Sequence, residues 1–235
     1  MLDLAATEFV LAVPNLPEAE LKRLSTSLFD AWDGFVDTAL SLPDYSLFLQ
    51  VDEGSVRGNA KIAAVAGALY LAIGNYGDFV SGLKTIGEQI SATNEFLSER
   101  AMRTFNCPDA KATTRKRGGA VAGLQRLFVR VQQGAMSPEE AMAQAERLLG
   151  SQQDVTPGFS EALIEAFQKC PKHHQQEPFP FEESDEEVLT SMANPSSPLP
   201  RRPRPLVELA PPLQLRIEVW RDSKKKRRQT RVVKL

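Results

Sequence analysis

The sequence predicts an α+β fold: a mainly helical body, with a small sheet built from N-terminal strands and a C-terminal β-hairpin. Three observations carry this. Two short β-prone runs flank a helical stripe near the start, the middle of the chain has helical period, and the last residues alternate again with period two. With 235 residues and 42% hydrophobic content, the chain can build one core of ordinary domain size plus tails.

Glu8 to Val13 reads as a first strand stopped by Pro14, and Asn15 with Glu18 forms a capping-box pattern around Pro17. A helix should follow, because Leu21, Leu24, Leu28, Trp32, Phe35 and Ala39 recur at spacings of three and four until Pro43. Tyr45 to Val51 is the second strand, closed by the turn Asp52-Glu53-Gly54-Ser55.

From Asn59 to about Phe105 the pattern reads as helical, with a break at Gly74-Asn75-Tyr76-Gly77. Ala60, Ala64, Ala68 and Ala72 recur every four residues and predict a helix-packing ridge, since small residues let two backbones approach closely. Phe79, Leu83, Ile86, Ile90 and Leu97 continue the stripe, making either a helical hairpin or a kinked helix. Thr113 to Arg117 leads into Gly118-Gly119 and a helix marked by Leu124, Leu127, Phe128 and Val131. Ser137, Pro138 and Glu140 start another that ends near Gly150, and Phe159 to Cys170 makes the last.

Residues 1–170 therefore form the expected body. Residues 171–212 are acidic and then proline-rich, the composition of a linker. Residues 213–235 form a basic hairpin, Leu213 to Trp220 and Gln229 to Leu235 around the tip RDSKKKRR. An isolated hairpin is marginal in water, so it should join the first two strands or pair with another subunit.

The stretch GNAKIAAVAGALYLAIGNYGDFVSG, residues 58–82, raises the question of a membrane. Ile62 to Gly74 is shorter than the roughly 20 apolar residues a spanning helix needs, which favours packing inside a protein. A rival reading makes the same stretch the working part of a conditionally membrane-active effector, in a bacterial defence or toxicity role. The N-terminus carries Asp3 and Glu8 and lacks a basic n-region, so it does not read as a secretory signal. Two cysteines, Cys107 and Cys170, are too few for a disulfide framework, and a cytoplasmic location is expected.

Asp52-Glu53-Gly54-Ser55, Gly67-Ala68-Leu69-Tyr70 and the run Tyr76 to Gly82 resemble a group of uncharacterised bacterial proteins that share such a core. The resemblance brings no assigned activity and implies only that the segment is a recurrent module. The pattern of Leu124 to Leu149 is similar to small bacterial helical-hairpin oligomerisation modules.

Charge is strongly segregated. Residues 1–110 hold 7 basic and 15 acidic residues, whereas residues 201–235 hold 12 basic and 3 acidic. Such asymmetry points to an anionic partner or to internal pairing. Arg115, Lys116 and Arg117 before two glycines make a candidate anion site, because glycine backbones at a helix N-terminus present N–H donors. The spacing does not fit a Walker loop. Lys224, Lys225, Lys226, Arg227 and Arg228, with Arg221 nearby, concentrate positive potential suited to nucleic-acid phosphates, and Trp220 adds one stacking ring. Anionic lipid and the acidic EESDEE segment compete for the same charge.

Cys170, His173 and His174, with Cys107 as a distant fourth, form an incomplete ligand set, so no metal is assigned and the histidines read as solvated linker. There is no Gly-x-Ser-x-Gly elbow and no complete cofactor motif, so the expected cofactor is none. The expectation is a non-catalytic interaction or scaffold protein that self-associates or binds a protein partner and contacts nucleic acid through its C-terminal hairpin; an enzyme with an unrecognised site is the second alternative.

Overall fold

In the computed structural model, which describes residues 1–53, 56–76, 78–108, 111–150, 158–171 and 215–235, six helices and a six-stranded antiparallel sheet make a mixed α+β protein. The strands are β1 (Leu2–Leu11), β2 (Ser46–Asp52), β3 (Val56–Ala64), β4 (Ala112–Arg117), β5 (Leu215–Arg221) and β6 (Gln229–Lys234). The helices are α1 (Glu18–Ala39), α2 (Ala66–Gly74), α3 (Phe79–Thr104), α4 (Gly119–Gln132), α5 (Pro138–Leu149) and α6 (Phe159–Gln168). Strand order is β4-β1-β3-β2-β5-β6. The C-terminal hairpin is part of the body's sheet, with β5 zipped to β2 from Leu47↔Arg221 to Asp52↔Arg216.

One face of the sheet builds the core. Leu47, Leu49 and Val51 of β2, Ala60, Ile62 and Ala64 of β3, and Ile217 and Val219 of β5 point into it, each buried. They meet Leu28, Phe29, Trp32 and Val36 of α1 and Ile86, Ile90 and Leu97 of α3 in a single hydrophobic cluster. Of the α1 stripe predicted from periodicity, Leu21, Leu28 and Trp32 are buried and Leu24, Phe35 and Ala39 half-buried, the buried face being completed by Ser25, Phe29 and Val36; the first turn also differs. Pro17 caps the helix with no side-chain hydrogen bond, so the Asn15–Glu18 box does not form. At α5 the predicted box does form: Ser137 Oγ accepts from Glu140 N at 3.2 Å, and Ser137 N donates to Glu140 Oε2 at 3.0 Å.

The four-alanine ridge is corrected. Residues 59–64 are strand, so Ala60 and Ala64 belong to β3, while Ala68 and Ala72 are buried on α2, a separate nine-residue helix. The cause is arithmetic: a spacing of four is close to one helical turn and is also two strand repeats. Burial along VRGNAKIAA alternates strictly, with Val56, Gly58, Ala60, Ile62 and Ala64 inside and Arg57, Asn59, Lys61 and Ala63 outside or half-buried. At Gly58 the Phe9 ring from β1 occupies the space a Cβ would take. The apolar stretch is therefore divided between the centre of the sheet and a short helix, and no helix among the described residues is long and apolar enough to cross a membrane.

β4 also departs from expectation, since TTRKR reads as the approach to a glycine loop and forms an edge strand paired to β1 from Ala6↔Arg117 to Leu11↔Ala112. Gly119 has φ +40°, and a Cβ there would strike the backbone of Asp3 and Leu4. The glycine is thus explained by the close seating of α4 on β1.

Candidate nucleic-acid interface

The predicted basic tip is largely engaged within the molecule. Arg221 lies on the core side of β5 with its side chain only 11% exposed. Its Nη2 approaches Asp33 Oδ1 at 2.6 Å and Asp37 Oδ1 at 3.7 Å, and donates to Tyr45 Oη at 3.0 Å. Lys224 Nζ is 3.3 Å from Asp37, and its backbone N–H and the Ser223 hydroxyl both donate to Asp44 Oδ1 at 2.8 Å. Arg228 pairs with Asp30, and Lys226 lies 3.8 Å from Asp222. The acids sit one turn apart on α1, so Asp30, Asp33 and Asp37 present a single ladder to the hairpin. Of the two expected uses of the hairpin's charge, an anionic partner or internal pairing, four of its six tip cations are thus engaged in internal ion pairs. Lys225 and Arg227 are the tip cations with no ion pair among the described residues.

Environment tunes this cluster. Burial raises the Asp33 carboxyl above its ordinary value, against the pull of Arg221. Asp37 is lowered, chiefly because Tyr45 donates to it at 2.7 Å. At Asp44, burial is outweighed by the donors from Lys224, Ser223 and Tyr45, and the net shift is downward. Tyr45, fully buried, has its phenol pushed up by burial and by its bond to Asp37, so it remains a donor.

The other face of the sheet is different in kind. Register and alternation place three rows of side chains on it. One runs Arg115, Glu8, Asn59, Gln50, Glu218, Arg231 across six strands. Its neighbours run Thr113, Val10, Arg57, Asp52, Arg216, Val233 and Arg117, Ala6, Lys61, Phe48, Trp220, Gln229. Each of these eighteen residues is exposed or half-buried, in contrast to the buried core face. Five strand spacings of about 4.8 Å make the platform ~24 Å wide.

Two features distinguish it. Phe48 and Trp220 are direct cross-strand partners, fourth and fifth of the six positions in their row, both half-buried, with Lys61 on the other side of Phe48. Spread over the three rows are six cations, Arg57, Lys61, Arg115, Arg117, Arg216 and Arg231, against three carboxylates. Arg117 pairs with Glu8 at 3.0 Å, Arg216 with Asp52 at 2.7 Å and Arg231 with Glu218 at 3.4 Å. Arg57, Lys61 and Arg115 have no ion pair among the described residues. These eighteen residues therefore carry a net charge of +3, with Lys61 next to Phe48 in its row, Arg57 four residues along β3 and Arg115 on the edge strand β4.

Comparison with protein-family models, with curated proteins and with solved structures finds no match for this chain.

Of the predicted anion-binding residues, Arg115 and Arg117 lie on this face, while Lys116 points to the helical side and pairs with Glu95 at 3.2 Å. Phe48, Arg57, Lys61 and Arg216 were not singled out from sequence. Their signal was the off-phase half of two alternating runs, SLFLQVD and VRGNAKIAA, whose polar and aromatic members share a face only once the strands pair. Cys107 and Cys170 are buried thiols, and burial pushes Cys170 up. His173 and His174, the linker and its EESDEE run lie outside the described residues.

Proposed function

We propose that this chain is a non-catalytic binding module that takes single-stranded nucleic acid on the open sheet face, with the C-terminal hairpin contributing part of the platform. The single observation that carries the reading is the Phe48–Trp220 pair on the open face, with the unpaired Lys61 beside Phe48 in the same row. Unstacked bases offer π-faces to aromatic side chains, and phosphates seek lysine and arginine; a flat sheet with both can track a strand without reading its sequence. Duplex is disfavoured, because its bases are already stacked on one another and do not present free faces to the aromatic pair.

The reading moves the expected nucleic-acid contact from the hairpin tip to the sheet, which leaves Lys225 and Arg227 as peripheral helpers. Fluorescence anisotropy with labelled oligo(dT) and oligo(U) at low salt tests it. Arg57→Glu with Lys61→Glu should weaken binding at least tenfold, and Phe48→Ala by roughly 5- to 150-fold, the scale of one lost base stack. Reversal of Lys225 and Arg227 should cost less than either. Binding abolished by the tip variant and untouched by the sheet variants would overturn the assignment.

A further inference from the structure

A second charged surface lies on the helical side, at the seam of α4 and α5. Arg126 and Arg130 are one turn apart on α4, and Arg147 faces them from α5. All three are exposed and make no ion pair among the described residues. They line two adjoining grooves, of about 460 and 330 Å³, that share Arg130, Gln144 and Arg147. The floor of the larger groove is apolar: Leu127, Gly123 and Leu148, with Leu148 still 41% exposed. Leu148 is held there because Gly123 has no side chain; a Cβ at 123 would come within 2.8 Å of Leu148 Cδ1. The one carboxylate in the lining, Glu140, is turned to the α5 N-terminus, where it accepts from Ser137 N.

We infer that this seam is a docking site for an acidic, amphipathic segment of a partner protein. Arginine forks pair with carboxylates through two parallel hydrogen bonds, and three of them around an apolar floor match carboxylates flanking an apolar anchor. Arginine is also among the residues enriched at interface hot spots. Free phosphate would satisfy the arginines and leave the floor bare, which is why a peptide is the better occupant. The site is on α4 and α5, remote in sequence from every strand of the sheet platform except β4, and the inference stands independently of the nucleic-acid reading.

The test is binding of a fluorescein-labelled synthetic peptide with glutamates four residues apart beside leucines, set against the same peptide with glutamine for glutamate and against labelled oligo(dT). The full-length protein should bind the acidic peptide at low salt. Arg126→Glu, Arg130→Glu and Arg147→Glu together should reduce that binding at least tenfold with an unchanged circular dichroism spectrum, and Leu148→Ser should reduce it with all three arginines kept. Arg57→Glu with Lys61→Glu should leave it unaltered. No binding of the acidic peptide, equal binding of the glutamine peptide, or competition by oligo(dT) that persists in the sheet variant would each overturn the inference.

Discussion

Tyr45 ties the end of α1, eight residues before it, to β5 far along the chain. Its hydroxyl donates to Asp37 of α1 and accepts from Arg221 of β5, while Arg221 and Lys224 lie over its ring at 5.3 and 5.8 Å from the centroid. Tyr45→Phe keeps the ring and removes both hydrogen bonds, so urea unfolding should show a loss of about 1.5–3 kcal/mol, the range for a bond to a charged partner. Arg221→Met removes the cation opposite half-buried Asp33 together with its bond to Tyr45, and should cost at least as much, because the carboxylate stays partly desolvated and loses its partner. The two aspartates titrate in opposite senses. Asp37 is held below 3.8, so its contribution is present above the unfolded-state value and is lost as pH falls through the folded one. Asp33 is raised above 3.8, so the folded state is favoured by its protonation and that benefit is lost as pH rises through its folded value. The stability deficit of Asp37→Asn should therefore close in acid. Asp33→Asn should gain on the parent protein as pH rises, and denaturant curves at several pH values check both.

Among the elements, the strand-and-helix frame was legible where residues have one dominant period. The Leu21-to-Trp32 stripe of α1 and the Ser137–Glu140 start of α5 are read from sequence and found in place. The β5–β6 pair was equally clear, as Ile217 and Val219 alternate with Glu218 and Trp220. β3 was hidden because alanines every four residues satisfy both periods, and the decisive information, Arg57 and Lys61 in phase with Asn59, is too polar for a helix core yet natural on an open strand face. The partnership of Phe48 with Trp220 is a long-range pairing that no local pattern contains. Gly58 tests the β3 assignment. Its missing Cβ is the seat of the Phe9 ring, so Gly58→Ala should cost about 1–3 kcal/mol by overpacking; a helical Gly58 would instead gain from the change.

For the whole molecule, the hairpin's attachment and the open platform are linked. The α1 acid ladder draws the hairpin's cations to the helical side, and that docking turns Trp220, Arg216 and Arg231 outward to complete the opposite face. Cations spent on α1 are unavailable to a ligand, so net attraction rests on the sheet. If three to six phosphates are met there, the affinity for a single strand should fall with a log–log salt slope of about −2 to −4. Far steeper dependence would point to the tip. The most direct measurement is acrylamide quenching of tryptophan emission during titration with oligo(dT). Trp32 is sealed in the core and Trp220 is half-buried on the platform, so the quencher reports on Trp220. Saturable protection of the quenchable emission, in step with binding, is the predicted result; binding that leaves Trp220 as accessible as before would contradict it.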